Sequence, residues 1–203
     1  MSFFSTIYWI ILGYLSGSLV WGYWIGKFFY GIDLRNKGSG NIGATNVFRV
    51  LGPVPGIFTF VLDVLKGALP VILVKNIYAK DANQIILATV GIAAIIGSKF
   101  SLFLRGKGGK SVNCSFGVIL AMMPVEAIFS LVVWLGIFTL TGYVSLASIA
   151  AATALPFLIL ILQKNMPLIF IGILIFIVVI FAHRDNIKRL IEGKENRFSL
   201  WKK

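Results

Sequence analysis

Residues 112–162, VNCSFGVILAMMPVEAIFSLVVWLGIFTLTGYVSLASIAAATALPFLILIL, carry a single formal charge, Glu126. A membrane-spanning helix needs about 20 mostly apolar residues, so hydropathy alone would divide this stretch into two spans or three. Two breaks favour three: Met122-Met123-Pro124-Val125-Glu126, and Thr141-Gly142-Tyr143. The segments 112–123 and 125–140 are then short, and must lean, thin the bilayer or enter from one side. Outward from here, further apolar runs cover 4–30, 54–74, 84–104 and 167–182. The expectation is an all-α integral membrane protein with seven transmembrane helices, its N-terminus outside and its C-terminus cytoplasmic, forming a single domain over 1–203.

The basic residues test that count independently, because cytoplasmic loops collect lysine and arginine. With seven spans, one face holds Lys27, Arg35, Lys37, Arg49, Lys99, Arg105, Lys107, Lys110, Arg184, Lys188, Arg189, Lys194, Arg197, Lys202 and Lys203. The other holds only Lys75, Lys80 and Lys164, and Lys66 lies within a span. A six-span chain would send the basic tail to the outer face and Lys164 inward, so the charges favour seven.

Composition bounds the rest. The chain has 203 residues and is 58% hydrophobic, above the roughly 45–50% of soluble domains, and leaves no room for a separate soluble domain. The first six residues hold no lysine or arginine, and no small-residue cleavage site follows, so the first apolar segment is expected to be retained. One cysteine, Cys114, excludes an internal disulfide and a thiolate metal cluster. A net charge of +12 on so apolar a chain points to anionic lipid head groups and phosphorylated substrates rather than nucleic acid.

Three polar segments fall on one face under the seven-span arrangement. In Gly38-Ser39-Gly40-Asn41-Ile42-Gly43-Ala44-Thr45-Asn46, the glycines permit positive φ, so that amide protons can converge on an anion. Ser39, Asn41, Thr45 and Asn46 add side-chain donors, and Arg49 a guanidinium suited to phosphate. The second segment is Arg105-Gly106-Lys107-Gly108-Gly109-Lys110-Ser111. It is not a Walker A loop, because Leu104 stands where glycine is required and a membrane helix precedes it. Gly108, Gly109, Lys107 and Lys110 still suit phosphate, although a basic loop also serves topology. The third is His183-Arg184-Asp185-Asn186-Ile187-Lys188-Arg189-Leu190, with His183 and Asn186 on one helix face at i and i+3. Lys188, Arg189, Lys194, Arg197, Lys202 and Lys203 are expected to anchor the tail to anionic lipid.

Several chemistries are disfavoured. Four aspartates and three glutamates are scattered, against a multi-carboxylate magnesium site. Cys114 and His183 do not make a zinc site by themselves, and no G-x-S-x-G element places a triad nucleophile. No cofactor or metal is therefore expected. Asp63 and Lys66, three residues apart inside the second span, are either functional or mutually neutralising. Ser16, Gly17, Ser18, Gly22 and Gly26 read as close-packing positions between helices.

Five motifs in order resemble one family: Tyr14-Leu15-Ser16-Gly17-Ser18, residues 38–49, Asp63-Val64-Leu65-Lys66-Gly67 with Pro70, Lys107-Gly108-Gly109-Lys110, and residues 183–190. Together they are similar to the bacterial acyl-phosphate:glycerol-3-phosphate acyltransferases, the PlsY family, nearly end to end. The resemblance implies a multi-pass enzyme of the bacterial inner membrane, working at the cytoplasmic face to make lysophosphatidic acid in phospholipid synthesis. It implies substrates acyl phosphate and glycerol 3-phosphate, contact with membrane lipids and no obligatory protein partner. Catalytic roles fall by position on Ser39, Arg49, Lys110, His183 and Asn186. Substrate binding falls on Gly38, Gly40, Asn41, Gly43, Thr45, Asn46, Lys107, Gly108 and Gly109. Around the second motif the chain departs from the family pattern at Ser98, Ser101, Gly106, Ser111, Asn113 and Cys114, so no role of the usual histidine or threonine is transferred there.

The expected reaction is direct attack by a glycerol 3-phosphate hydroxyl on an activated mixed anhydride, where positioning and charge stabilisation supply the acceleration. Arg49 and Lys110 would neutralise phosphates, and Ser39 and Asn186 would orient the reactants. Either His183 or the departing phosphate would take the proton. The competing reading is an organic-phosphate transporter, which would place its site near the midplane and often repeat its halves.

Overall fold

The computed structural model describes residues 2–78, 83–163 and 165–198. Lys80, Lys164, Lys202 and Lys203, used above in the charge comparison, lie outside them. The chain divides into two compact units, Met1–Met122 and Met123–Lys203. The described residues hold helices and no strand.

The first unit begins with α1 (Phe3–Ser18) and α2 (Trp21–Trp24), which runs into a π-helical turn at Ile25–Phe29. A 3-10 turn, Leu34–Asn36, leads to α3 (Ala44–Leu51) and α4 (Pro53–Ile77). Gly52, at φ 99°, closes α3 and lets Pro53 start α4, where a proline's missing N–H costs nothing. After α5 (Gln84–Lys99), whose Asn83 cap accepts the Ile86 amide at 3.0 Å, a second 3-10 turn, Leu102–Leu104, leads to α6 (Val112–Met122).

Small residues set how closely these helices approach, as the apolar solvent of a bilayer requires. A Cβ on Gly17 would strike the Ala94 backbone in α5, and one on Gly97 would strike the Tyr14 carbonyl in α1. The α4–α6 crossing is reciprocal in the same way, Gly67 lying on the Cys114 backbone and Gly117 on the Val64 carbonyl. The packing expected of Gly17 is thus present, and its partner helix is α5.

The second unit consists of α7 (Pro124–Thr141), α8 (Val144–Leu162), α9 (Met166–Ala182) and α10 (Arg184–Ile191). Both breaks expected within 112–162 are present: α7 starts at Pro124, and it ends at Gly142, whose φ is 73°. The α9–α10 pair bends by 62° at His183.

Among the described residues, five helical stretches are long and apolar enough to cross a bilayer: Phe3–Phe29, Pro53–Ile77, Gln84–Leu104, Pro124–Thr141 and Val144–Leu162. The bent pair Met166–Ala182 and Arg184–Ile191 makes a sixth if counted as one span, and Val112–Met122 is an apolar helix of only 11 residues. This is a multi-span helical membrane protein.

The intramembrane charges Asp63 and Lys66 neutralise each other at 2.7 Å, with both side chains nearly buried. The mutual pairing of i,i+3 neighbours is therefore realised on α4.

Candidate active site

The loop from 33 to 43 is built around one buried amide. Asn46, 1% exposed on the inner face of α3, accepts the Ser39 N–H at 2.8 Å through Oδ1. Its Nδ2 donates to the carbonyls of Lys37 at 3.0 Å and Asn41 at 2.8 Å. Asn41 Oδ1 in turn accepts the Gly43 N–H at 2.8 Å, an Asx-type turn that leads into α3. Gly38 and Gly40 have φ of 58° and 72°, the left-handed region where glycine is favoured. At the loop's entry Asp33 accepts the Arg35 backbone and guanidinium N–H groups, and the Arg35 guanidinium holds the Asp33 carboxyl down at about 2. The same guanidinium lies over the Tyr23 ring, 4.8 Å from its centre.

This construction leaves Ser39, Gly38, Gly40 and Arg49 exposed and Asn41, Gly43 and Thr45 partly buried. Asn46 is different, because its amide is occupied by backbone groups. It shapes the loop from beneath.

The second loop folds back onto the end of α5. Ser101 accepts the Gly106 N–H at 2.8 Å, and Arg105 takes a left-handed conformation at φ 51°. The Gly108 and Gly109 amides donate to the carbonyls of Lys99 at 3.0 Å and Ser98 at 3.1 Å. Those two amides, which the glycine-rich pattern offered to a phosphate, are thus engaged with α5. Lys107 stands exposed and Lys110 partly buried on the loop they fix. Three of the positions that depart from the family pattern have side-chain partners: Ser101 Oγ donates to the Ser18 carbonyl at 2.6 Å, Ser111 Oγ to the Ile95 carbonyl at 3.2 Å, and Cys114 Sγ faces the Ala94 carbonyl at 3.5 Å.

These two loops meet. A Cβ on Gly109 would sit 3.8 Å from Asn41 Oδ1 and 4.0 Å from Ile42 Cγ1. Beneath them Val20, Tyr23 and Ile42 form a buried cluster against which Trp24 and Leu104 pack. Ile42 comes from the first loop and Leu104 from the second, so one apolar floor carries both.

The third segment belongs to the second unit. His183 is 2% exposed at the α9–α10 bend, with Nδ1 2.9 Å from the Val179 carbonyl. A carbonyl only accepts, so this hydrogen bond places a proton on Nδ1. Asn186, also buried, donates through Nδ2 to Glu195 Oε1 at 2.6 Å. Glu195 further accepts from Ser145 Oγ at 2.8 Å and Arg189 Nε at 2.7 Å. Burial pushes the Glu195 carboxyl up, but the hydrogen bonds from Asn186, Arg189 and Ser145 and the charge of Arg189 outweigh it and hold the group below its ordinary value. Arg189 is thus paired with Glu195. Arg197, likewise expected to anchor the tail, lies over the Tyr143 ring at 5.1 Å.

The family model for glycerol-3-phosphate acyltransferase matches residues 7–193. The chain belongs to the glycerol-3-phosphate acyltransferase family. Relatives of that name from Aquifex aeolicus and Geotalea daltonii are 41% and 43% identical, each over 96% of this chain and over 100% and 98% of their own lengths. A crystal structure of PlsY, an integral membrane glycerol 3-phosphate acyltransferase in its glycerol 3-phosphate form, is 40% identical. It has a TM-score of 0.91 and covers 98% of this chain and 100% of its own. A second, in the lysophosphatidic acid form, is 39% identical with a TM-score of 0.88, covering 96% of each chain. The protein is therefore a membrane acyltransferase of this family, and the transporter reading gives way to the enzyme.

Sequence reading missed Ser145 and Glu195 in this acyltransferase. They lie 50 residues apart, with no local pattern to link them.

Proposed function

We propose that the enzyme transfers a fatty acyl group from an acyl phosphate to the primary hydroxyl of glycerol 3-phosphate, giving lysophosphatidic acid and inorganic phosphate. The observation that carries this reading is the meeting of the Ser39–Asn41 and Lys107–Lys110 loops over one apolar floor. Such a floor beside basic, donor-rich loops suits two phosphate groups, one of them attached to an acyl chain. The forms described for the two solved relatives, glycerol 3-phosphate and lysophosphatidic acid, differ by one acyl group, which supports this acceptor and this product.

In this mechanism Arg49 and Lys110 neutralise phosphate charge, and Ser39 and Asn186 orient the reactants. Gly38, Gly40, Asn41, Gly43, Thr45, Asn46, Lys107, Gly108 and Gly109 shape and line the substrate-binding loops. A mixed anhydride is already activated, so neither a covalent enzyme intermediate nor a cofactor is needed. The hydroxyl proton goes to His183 Nε2 or to the departing phosphate; the Nδ1–carbonyl hydrogen bond occupies the other ring nitrogen, which leaves Nε2 as the atom that would take the proton in the former case. The chain acts as one acyltransferase domain with seven spans, its N-terminus outside and its polar loops at the cytoplasmic face of the inner membrane. The lysine and arginine distribution supports this arrangement.

The test is purified protein in lipid with labelled glycerol 3-phosphate and, in parallel, acyl phosphate, acyl-CoA and acyl carrier protein donors. The reading requires lysophosphatidic acid from acyl phosphate alone. Product from acyl-CoA but not acyl phosphate rejects the donor.

A further inference from the structure

We infer that Asp63 and Lys66 are positioning residues for the acyl transfer, because they hold a break in the first span from which both substrate loops are supported. The inference rests on the function proposed above.

α1 stops at Ser18, and Leu19, at ψ 130°, leaves the helical path before α2 resumes at Trp21. Such a break turns backbone carbonyls away from the helical ladder, and in a bilayer they must find partners within the protein. The Ser18 carbonyl accepts from Ser101 Oγ at 2.6 Å, and the Leu19 carbonyl from Lys66 Nζ at 2.8 Å. Asp63 Oδ1 holds the same ammonium at 2.7 Å, and Ser16 Oγ donates to the Lys66 carbonyl at 2.8 Å. Mutual neutralisation would be complete within α4. Lys66 is instead joined to the one place where the first span is interrupted.

From that interruption the contacts run to both loops. Val20 and Tyr23 pack on Ile42, and Gly22 lies against the Ile42 carbonyl, fixing the first loop. Ser101, bonded to Ser18, receives the Gly106 amide and so starts the turn that carries Lys107 to Lys110. A shift of the break moves both loops together, and a misplacement of about 1 Å in a reacting geometry costs on the order of 100-fold in rate.

The test compares two double variants. Asp63→Asn with Lys66→Met removes both charges without leaving either one buried alone. Asp63→Lys with Lys66→Asp keeps an ion pair but moves the ammonium to the other position. Wild-type turnover of acyl phosphate is measured first; if that fails, the proposed donor is wrong, and the variants are assayed with whichever donor the wild type uses. For folded variants with thermal midpoints near wild type, kcat/KM is expected to fall about tenfold or more for both substrates, and the exchanged pair is expected not to restore it. Wild-type kcat and KM in the neutral variant, or full recovery in the exchanged one, would overturn the inference. If neither folds, Ser101→Ala decides, since it cuts only the link between the break and the second loop. A raised KM for the acyl donor is then expected, and unchanged constants would refute the proposal.

Discussion

The Ser39 amide donates to Asn46 Oδ1 at 2.8 Å, and the Asn46 Nδ2 group returns hydrogen bonds to Lys37 and Asn41 on either side. Ser39 therefore takes its backbone position from a side chain buried on α3. Each such hydrogen bond contributes about 0.5–1.5 kcal/mol, and an unsatisfied buried partner costs about 1–3 kcal/mol. Asn46→Ala is expected to raise KM for glycerol 3-phosphate about tenfold or more. Asn46→Asp keeps an acceptor for Ser39 but sets a carboxylate against two carbonyls, and should do no better. Steady-state kinetics with thermal midpoints check both.

Gly38 and Gly40 share positive φ, and an L-residue in that region costs about 1–2 kcal/mol. Only at Gly38 would an added Cβ strike Asn46 Oδ1, whereas at Gly40 its neighbour is the Arg35 carbonyl at 3.2 Å. Gly38→Ala should therefore impair glycerol 3-phosphate binding more than Gly40→Ala. The ratio of their KM values measures it, and equal values would contradict the role given to Asn46.

His183 is expected to accept the substrate proton through Nε2. General-base catalysis contributes about 10²–10⁴-fold, so His183→Gln should lose that much kcat together with the acidic limb of the pH profile. Near-normal turnover with a flat pH response would assign the proton to the leaving phosphate.

Glu195 titrates below the ordinary glutamate value of 4.5, because Asn186, Arg189 and Ser145 outweigh its burial. With the folded value below the unfolded one, its stabilisation is fully present above about 4.5 and is lost as pH falls through the lower, folded value. The thermal midpoint of the wild type should therefore decline in that acidic window, and Glu195→Gln should be less stable at neutral pH with a shallower decline. Parallel melting curves of the two proteins across this range check the sign.

Much of this was legible in the residues themselves. Pro124 and Gly142 mark the breaks in 112–162 because their backbone preferences act locally, and the Asp63–Lys66 pair is readable from its i,i+3 spacing. The span count was less so, because an 11-residue apolar helix such as Val112–Met122 gives no length criterion of its own. Donor-rich composition marked both loops, yet it could not tell an outward amide from one facing its own chain. The Gly108 and Gly109 amides, turned to Lys99 and Ser98, are the clearest instance. The partners of Leu19 and Asn186 were also hidden, since Lys66 and Glu195 reach them only through tertiary packing.

Direct acyl transfer can be followed through the bridging oxygen of acyl phosphate. With ¹⁸O at that position and unlabelled glycerol 3-phosphate, attack at the carbonyl carbon breaks the bond between carbon and the bridging oxygen. All label should then appear in inorganic phosphate and none in lysophosphatidic acid. Label retained in free fatty acid beside a doubly phosphorylated glycerol would mean phosphoryl transfer, and would contradict the account.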